Sequence, residues 1–191
     1  NNVLLLNQPT STPMRHAVDC YFAPNSPWTY LGHTRFAAMV AKAGASVRLL
    51  PIDLGQVFAV SGGLPLPQRA PQRQAYRLLE LKRFAEALAL PLVVQPRFFP
   101  VAGLAAAQLI VATGQVLGTA SAMRLTGAIG AAVWAQERDI ADTVTLAALL
   151  GECELDAGLL AQSQSAEVQS RYAQNTQAAI EAGVFGAPSY V

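Results

Sequence analysis

The segment Ser26-Pro27-Trp28-Thr29 combines a helix start with a hydroxyl that can donate a hydrogen bond to an anion. Ser26 suits an N-cap, and Pro27 suits the first helical position, where its missing N–H costs nothing. A helix N-terminus presents free N–H groups and a positive dipole end, which stabilise an anion such as a thiolate. A serine hydroxyl cannot exchange disulfides, but it can donate a hydrogen bond to a thiolate. The segment therefore indicates either a plain helix start or a site for a ligand that brings its own thiol.

A second segment of interest is Gly186-Ala187-Pro188, which leads into β-branched and aromatic residues near the end of the sequence. From the residues alone, a trans turn is the default for this proline. A cis bond would instead turn the Ala187 backbone outward, free to pair with a peptide-like ligand as a strand does.

The cysteines and histidines give no metal or disulfide pattern. Cys20 and Cys153 are far apart in the sequence, and no CxxC is present. Their spacing favours two small buried residues over a disulfide scaffold. With two histidines in the chain, we predict no metal site.

The charge is nearly balanced, with a formal net charge of +1 from 13 basic and 12 acidic residues. Such a chain has no field to attract nucleic acid or an anionic membrane, so we expect a small-molecule partner. The uncharged stretch 98–123 is long enough to cross a membrane. The polar and glycine residues at 113–115 interrupt it, which favours two buried helices, no membrane span and a cytoplasmic protein. Residues 1–14 are interpreted as a leader or tail.

The hydrophobic periodicity predicts the elements that position the two segments. A strand over Ala17–Phe22, a helix from Pro27 to a stop at Gly44 and a strand over 46–52 form a β-α-β unit with parallel strands. A last helix is followed by a strand that starts after Gly186. The helices predicted after the first β-α-β unit span 70–90, 103–113, 117–136, 144–152 and 166–182.

Together, these segments resemble the 2-hydroxychromene-2-carboxylate isomerase family, which is close to kappa-class glutathione transferases. The motifs that carry the resemblance are Ser26 to Gly32, Ser61 to Pro65, Leu81-Lys82-Arg83, Val133-Trp134 with Arg138-Asp139-Ile140, and Gly183 to Tyr190. The resemblance implies an α/β, DsbA-like thioredoxin fold with a large all-helical insertion between the β-α-β half and the C-terminal α-β half. The implied domains are a thioredoxin-like domain over 15–54 and 164–191 and an inserted helical subdomain over 55–163.

The resemblance also implies glutathione as the cofactor. Ser26, followed by Pro27 and Trp28 at the cofactor site, corresponds to the serine that holds the glutathione sulfur as a thiolate. Ala187, before a cis Pro188, would pair with the cysteinyl backbone, and Gly62-Gly63 would line the site. The family often has asparagine where Gly63 stands, so that side-chain contact would be lost. The family continues past the position of Val191 through a strand, a Gly-x-Asp-Arg turn that holds the glutamyl end, and a helix, so either the sequence is incomplete at this end or these glutathione contacts are missing.

For the substrate, the candidates are basic or aromatic side chains that would face a small aromatic carboxylate: His33, Arg73, Lys82, Arg97 and Trp134. His33 lies about two helical turns after Ser26, where it would act as a proton shuttle or simply pack in the helix. The three basic residues are equally suited to a solvated helix face. Trp134 suits the core at least as well as a substrate wall.

The resemblance implies a glutathione-dependent cis–trans isomerase in aromatic catabolism, with the glutathione thiolate as a reversible nucleophile. The nearest alternative is a kappa-class-like glutathione S-transferase. Two further alternatives are a DsbA-like oxidoreductase, which Ser26 and Thr29 disfavour because no thiol is available, and a non-catalytic thioredoxin-like binding module. By analogy with related folds, a homodimer is a candidate assembly.

Overall fold

Three strands form one sheet within residues 17–191, the part of the chain that the computed structural model describes. The predicted tail over 1–14 lies outside the described residues. Strand β1 (Ala17–Phe22) pairs in parallel with β2 (Ser46–Pro51) and antiparallel with β3 (Ser189–Tyr190), which gives the order β2-β1-β3. The predicted parallel β-α-β unit is therefore confirmed.

Helix α1 (Pro27–Ala43) connects β1 to β2 and begins and ends at the predicted residues. The Ser26 side chain accepts a hydrogen bond from the Thr29 N–H, and Pro27 takes the first helical position. Gly44 ends the helix in the left-handed region at φ 61°, which glycine adopts without the penalty that a Cβ imposes. These local signals fix where α1 starts, and so place Ser26 directly after β1.

The chain between β2 and β3 is mostly helical. Helix α3 starts at Pro71, a residue type that suits the first position of a helix. Its buried stripe consists of Arg77, Leu81 and Ala85, at four-residue intervals. The helices of this region are α2 (Leu54–Ser61), a 3₁₀ turn (Leu66–Gln68), α3 (Pro71–Leu88), α4 (Leu104–Trp134), α5 (Thr143–Glu152), α6 (Leu159–Ser163) and α7 (Ala166–Glu181).

The break in α4 differs from the one that the sequence predicts. We expected the interruption at 113–115, but the backbone leaves the helical region at Gly118, with φ 79° and ψ 175°. Thr113 stays in the helix, and its hydroxyl donates to the Leu109 carbonyl at 2.8 Å. Gly114 stays helical as well, and a Cβ built there would lie 3.6 Å from the Ala122 Cβ, so the two halves of α4 approach each other closely.

Helix α4 is long and apolar enough to cross a membrane, judged by length and composition alone. In the structure it packs against α1, β2, α5, α6 and α7. Leu109, Leu125 and Ile129 on this helix are fully buried. The Thr119 hydroxyl donates to the Val47 carbonyl of β2 at 3.2 Å, so the helical region packs directly on the sheet. The packing of α4 in the core of the fold therefore accounts for its apolar composition. The predicted domain boundaries, at 54/55 and 163/164, stay a prediction.

Candidate active site

A cavity of about 350 Å³ opens where β1 ends and α1 begins. Its volume falls within the range of small-molecule sites. We call it the Ser26 cleft; the residues that line it include Ser26, Pro27, Trp28, Phe58, Arg69, Arg77, Phe99, Gly186 and Ala187. The two segments that the sequence analysis singled out, at opposite ends of the chain, therefore meet in one cavity.

The Ser26 hydroxyl accepts one hydrogen bond through its oxygen, and its hydrogen is free to donate another. The residue is buried, and its Oγ accepts from the Thr29 N–H at 3.3 Å. Within residues 17–191, the hydroxyl hydrogen of Ser26 has no acceptor. The backbone N–H of Trp28, in the first turn of α1, has none either. Both donors are available to an anion that enters the cleft, in the positive field of the helix N-terminus.

Ala187 presents its backbone at the opposite side of the cleft. The Ala187–Pro188 peptide bond is cis, as the family resemblance implies. Pairing between β1 and β3 extends from Asp19–Val191 to Tyr21–Ser189 and stops there. The N–H and the carbonyl of Ala187 have no partner among the described residues, so a peptide-like ligand can pair with them.

The Ser26 cleft contains two cations that our candidates did not include. Arg69 donates its Nε–H to the Leu64 carbonyl at 2.9 Å, and its guanidinium lies 5.9 Å from the Phe58 ring centre. Arg77 is 8% exposed, and its guanidinium has no hydrogen-bond or ion-pair partner in the part of the chain that the structure describes. Burial, and then the nearby Arg69, lower the pKa of Arg77 from its ordinary value.

A sequence signal for Arg77 did exist. The apolar stripe of α3 runs through Leu81 and Ala85, and Arg77 occupies the next position of that stripe, four residues before Leu81. A charged residue at a core position is rarely buried without a reason. No comparable periodic signal marks Arg69, which follows the short 3₁₀ turn.

The basic candidates proposed from the sequence lie elsewhere. Arg73 lines a neighbouring groove of about 440 Å³ that Trp28, Arg69 and Arg77 also border. Lys82 is exposed and faces Glu86 at 4.0 Å. Arg97 lies over the Phe98 ring at 5.2 Å and does not line the Ser26 cleft. A substrate role for these three residues stays a prediction.

His33 and Trp134 do not line the Ser26 cleft; His33 is half-buried and Trp134 is buried. His33 lines a cavity of about 30 Å³ between α1 and α4, on a different side of α1 from the cleft. Burial lowers its pKa, and a hydrogen bond to the Met123 backbone opposes that shift. Trp134 is fully buried, with its ring centre 4.7 Å from that of Phe99, a residue of the cleft wall. Trp134 can therefore act on the cleft only through Phe99 and Arg77.

Gly62 and Gly63 do not line the cleft, whereas Phe58, four and five residues earlier, does. Gly62 caps α2 in the left-handed region at φ 76°. A Cβ built on Gly63 would lie 2.2 Å from Cδ1 of Phe58. The Phe58 ring thus occupies the space that a side chain at position 63 would need. Cofactor binding by the two glycines stays a prediction.

No cysteine lines the Ser26 cleft. Cys20 and Cys153 are both free thiols, and both are buried. Burial raises the pKa of Cys20 to about 12 and raises that of Cys153. Since disulfide exchange needs an accessible thiolate, neither residue can supply it in the cleft.

Comparison with known proteins identifies relatives along the whole described range. The family model of the DSBA-like thioredoxin domain matches residues 17–191. A protein of Pseudomonas sp. (strain C18) named 2-hydroxychromene-2-carboxylate isomerase is 32% identical over 179 residues, which cover 90% of this chain and 79% of that protein.

Solved structures agree on the fold. A 2-hydroxychromene-2-carboxylate isomerase structure gives a TM-score of 0.76 at 24% identity, covering 92% of this chain and 84% of that one. The cytosolic disulfide reductase DsbM from Pseudomonas aeruginosa, solved with GSH, gives 0.65 at 18% identity, covering 91% and 84%. The predicted DsbA-like thioredoxin fold with a large helical region is therefore confirmed.

Proposed function

The chain belongs to the DSBA-like thioredoxin family and, within it, to the 2-hydroxychromene-2-carboxylate isomerase family, and from this premise we propose that it is a glutathione-dependent cis–trans isomerase of 2-hydroxychromene-2-carboxylate type. The observation that carries the proposal is the unused Ser26 hydroxyl hydrogen at the start of α1, in a cleft without a cysteine. A site that stabilises a thiolate but owns no thiol fits a ligand that brings one.

Three features of the cleft fit glutathione. The Ser26 hydroxyl and the Trp28 N–H are free to donate to its sulfur. The free N–H and carbonyl of Ala187 match the carbonyl and N–H of a cysteinyl residue in strand-like pairing. Hydrogen bonds to a charged acceptor contribute about 1.5–3 kcal/mol each, so Ser26 alone can lower the thiol pKa by roughly one to two units.

When bound, glutathione supplies a thiolate that adds reversibly to a conjugated carbon–carbon double bond and so allows rotation about it. The residues of the cleft hold that sulfur as an anion through Ser26 and the N-terminus of α1. Phe58 and Phe99 provide apolar walls that exclude water and match a flat aromatic substrate. Ala187 would pair with the peptide backbone of the cofactor and so set its orientation in the cleft.

The protein's own thiols support this proposal over disulfide chemistry. Ser26 and Thr29 stand at the two positions where an oxidoreductase would need cysteines. Cys20 and Cys153 are buried and unpaired. Unpaired thiols fit a reducing compartment, in which glutathione is also plentiful, and we therefore propose a cytoplasmic location.

The test is an isomerisation assay with trans-o-hydroxybenzylidenepyruvate, followed by its absorbance change on ring closure. We expect activity only with glutathione and a loss of about tenfold to hundredfold in kcat for Ser26→Ala, from the hydrogen bond removed. Ser165→Ala is the matched control, because Ser165 caps α7 through the same 3.3 Å contact, to the Val168 N–H. Both variants lose a cap, and only the first loses the cleft hydroxyl.

Two outcomes would contradict the proposal. Activity that does not depend on glutathione would remove the cofactor, and equal rates for Ser26→Ala and Ser165→Ala would remove Ser26 from the site. Consumption of glutathione in a stable conjugate would favour the transferase alternative, since an isomerase returns its glutathione unchanged.

A further inference from the structure

We propose that Arg77 is the residue that binds the carboxylate of an aromatic acid substrate in the Ser26 cleft. This inference rests on the proposed function, because it assigns the substrate-binding end of the same cavity. It names a specificity-determining residue, and it places the acidic group of the substrate against the helical region instead of against the thioredoxin-like sheet.

The first observation is that Arg77 is a buried cation without an anion. It is 8% exposed, yet the ion pairs found within residues 17–191 join Arg48 to Asp19, Lys82 to Glu86 and Arg138 to Glu152, and none of them involves Arg77. Leaving a buried charge unpaired is costly, so proteins retain such a group where a ligand completes the pair.

The second observation is that the cleft wall carries a second cation and no carboxylate. Arg69 lines the same cavity, and no Asp or Glu of the described residues does. Glu80 lines the adjoining groove and makes no ion pair with Arg77 or Arg69. The cleft is therefore positive at this end, and an entering anion meets no repulsion.

The third observation is that aromatic rings hold the Arg77 guanidinium in place. Its Cζ lies 5.3 Å from the Phe99 ring centre and 5.8 Å from the Trp134 ring centre. Cation–π contacts of this kind are compatible with a carboxylate at the edge of the guanidinium plane, where its N–H groups form a fork. A fixed fork binds a carboxylate through two parallel hydrogen bonds.

The surroundings favour a substrate carboxylate over those of glutathione. Phe58 and Phe99 line the cleft beside the two arginines. A flat aromatic acid can pack against these rings while its carboxylate reaches Arg77, whereas the glycyl and glutamyl parts of glutathione have little apolar surface and no aromatic ring to match them. A carboxylate at Arg77 can therefore come from the substrate or from glutathione, and an experiment can distinguish the two.

The direct test is binding of trans-cinnamate, an unreactive aromatic acid, to the protein without glutathione, followed by the quenching of tryptophan fluorescence. We expect Arg77→Met, which keeps a long apolar stem against Phe99 and Trp134, to weaken cinnamate binding by about tenfold or more. Cinnamamide, which lacks the charge, should bind wild type and variant alike. Arg77→Lys keeps the charge without the fork and should fall between them.

Arg83→Met is the matched control, because Arg83 is an exposed arginine of the same helix that lines neither the cleft nor the adjoining groove. It should leave cinnamate binding unchanged. Thermal unfolding of each variant establishes that it is folded before it is compared. In the isomerase assay, Arg77→Met should raise KM for the acid and leave KM for glutathione unchanged.

Three results would overturn the assignment. Cinnamate could bind wild type and Arg77→Met equally, Arg83→Met could weaken cinnamate binding as much as Arg77→Met does, or Arg77→Met could weaken the binding of glutathione and not of cinnamate, which would assign the carboxylate to the cofactor. Failure of the proposed function is distinguishable, since the cinnamate test uses no glutathione and no turnover. A protein without isomerase activity that still binds cinnamate through Arg77 would refute the first proposal and keep the second.

Discussion

The contact between Phe58 and Gly63 makes a prediction whose size follows from the structure. A Cβ on Gly63 would lie 2.2 Å from Cδ1 and 2.8 Å from Cγ of Phe58. Ordinary carbon contacts start near 3.4 Å, and Cγ lies close to the backbone, so the whole ring must rotate. Gly63 is not in the left-handed region, so Gly63→Ala adds crowding without backbone strain.

We expect Gly63→Ala to destabilise the protein by about 1–3 kcal/mol, the usual cost of overpacking. For a chain of this size, each kcal/mol lowers Tm by roughly 2–4 °C. In a Phe58→Ala background the ring is absent, and the same substitution should cost close to nothing. Denaturant unfolding of the four proteins gives this coupling directly.

Gly62→Ala provides the control for this cycle. At φ 76° the alanine is strained, although no atom lies within 4 Å of its Cβ. Its cost should therefore be the same with and without Phe58. The reasoning is refuted if Gly63→Ala costs as much in the Phe58→Ala background as in wild type, because the cost would then not come from the ring.

Two further predictions concern the kink of α4 and the buried thiols. Gly118→Ala should lower the free energy of unfolding by about 1–3 kcal/mol, because φ 79° and ψ 175° suit only glycine. Gly114→Ala, with its Cβ 3.6 Å from that of Ala122, should be close to neutral. Denaturant unfolding of both variants checks this, and equal costs would contradict it. Because burial raises the pKa of Cys20 to about 12, that thiol stays protonated at neutral pH and should resist iodoacetamide in the native protein but react in urea. Rapid native alkylation of Cys20, located by mass spectrometry, would show that this thiol is accessible.

Local signals allowed the β-α-β unit to be predicted from the sequence. The Ser26 cap, Pro27 and the stop at Gly44 act within a few residues of each other, and the structure shows all three. The break in α4 was placed wrongly because that stretch is apolar throughout and has no clear period. Gly114 appeared to be a breaker, yet its small size serves close packing, and the backbone departs at Gly118 instead.

The cleft was predicted in part. Ser26, Trp28 and Ala187 do share one cavity, because the order β2-β1-β3 brings the ends of β1 and β3 together. The cationic wall was missed, since whether an arginine of α3 faces solvent or a cavity depends on which side of the helix packs. Arg73 and Arg77 differ by one turn of the same helix, and one lines the adjoining groove while the other is buried at the cleft.

The pKa of the cysteinyl thiol of protein-bound glutathione tests the central claim most directly. It can be followed by thiolate ultraviolet absorbance, or by the NMR shift of the cysteinyl β-carbon in labelled glutathione. We predict that wild type and Ser165→Ala lower this pKa below that of free glutathione, and that Ser26→Ala raises it again by roughly one to two units. A bound thiol whose pKa is the same in wild type and in Ser26→Ala would contradict the account.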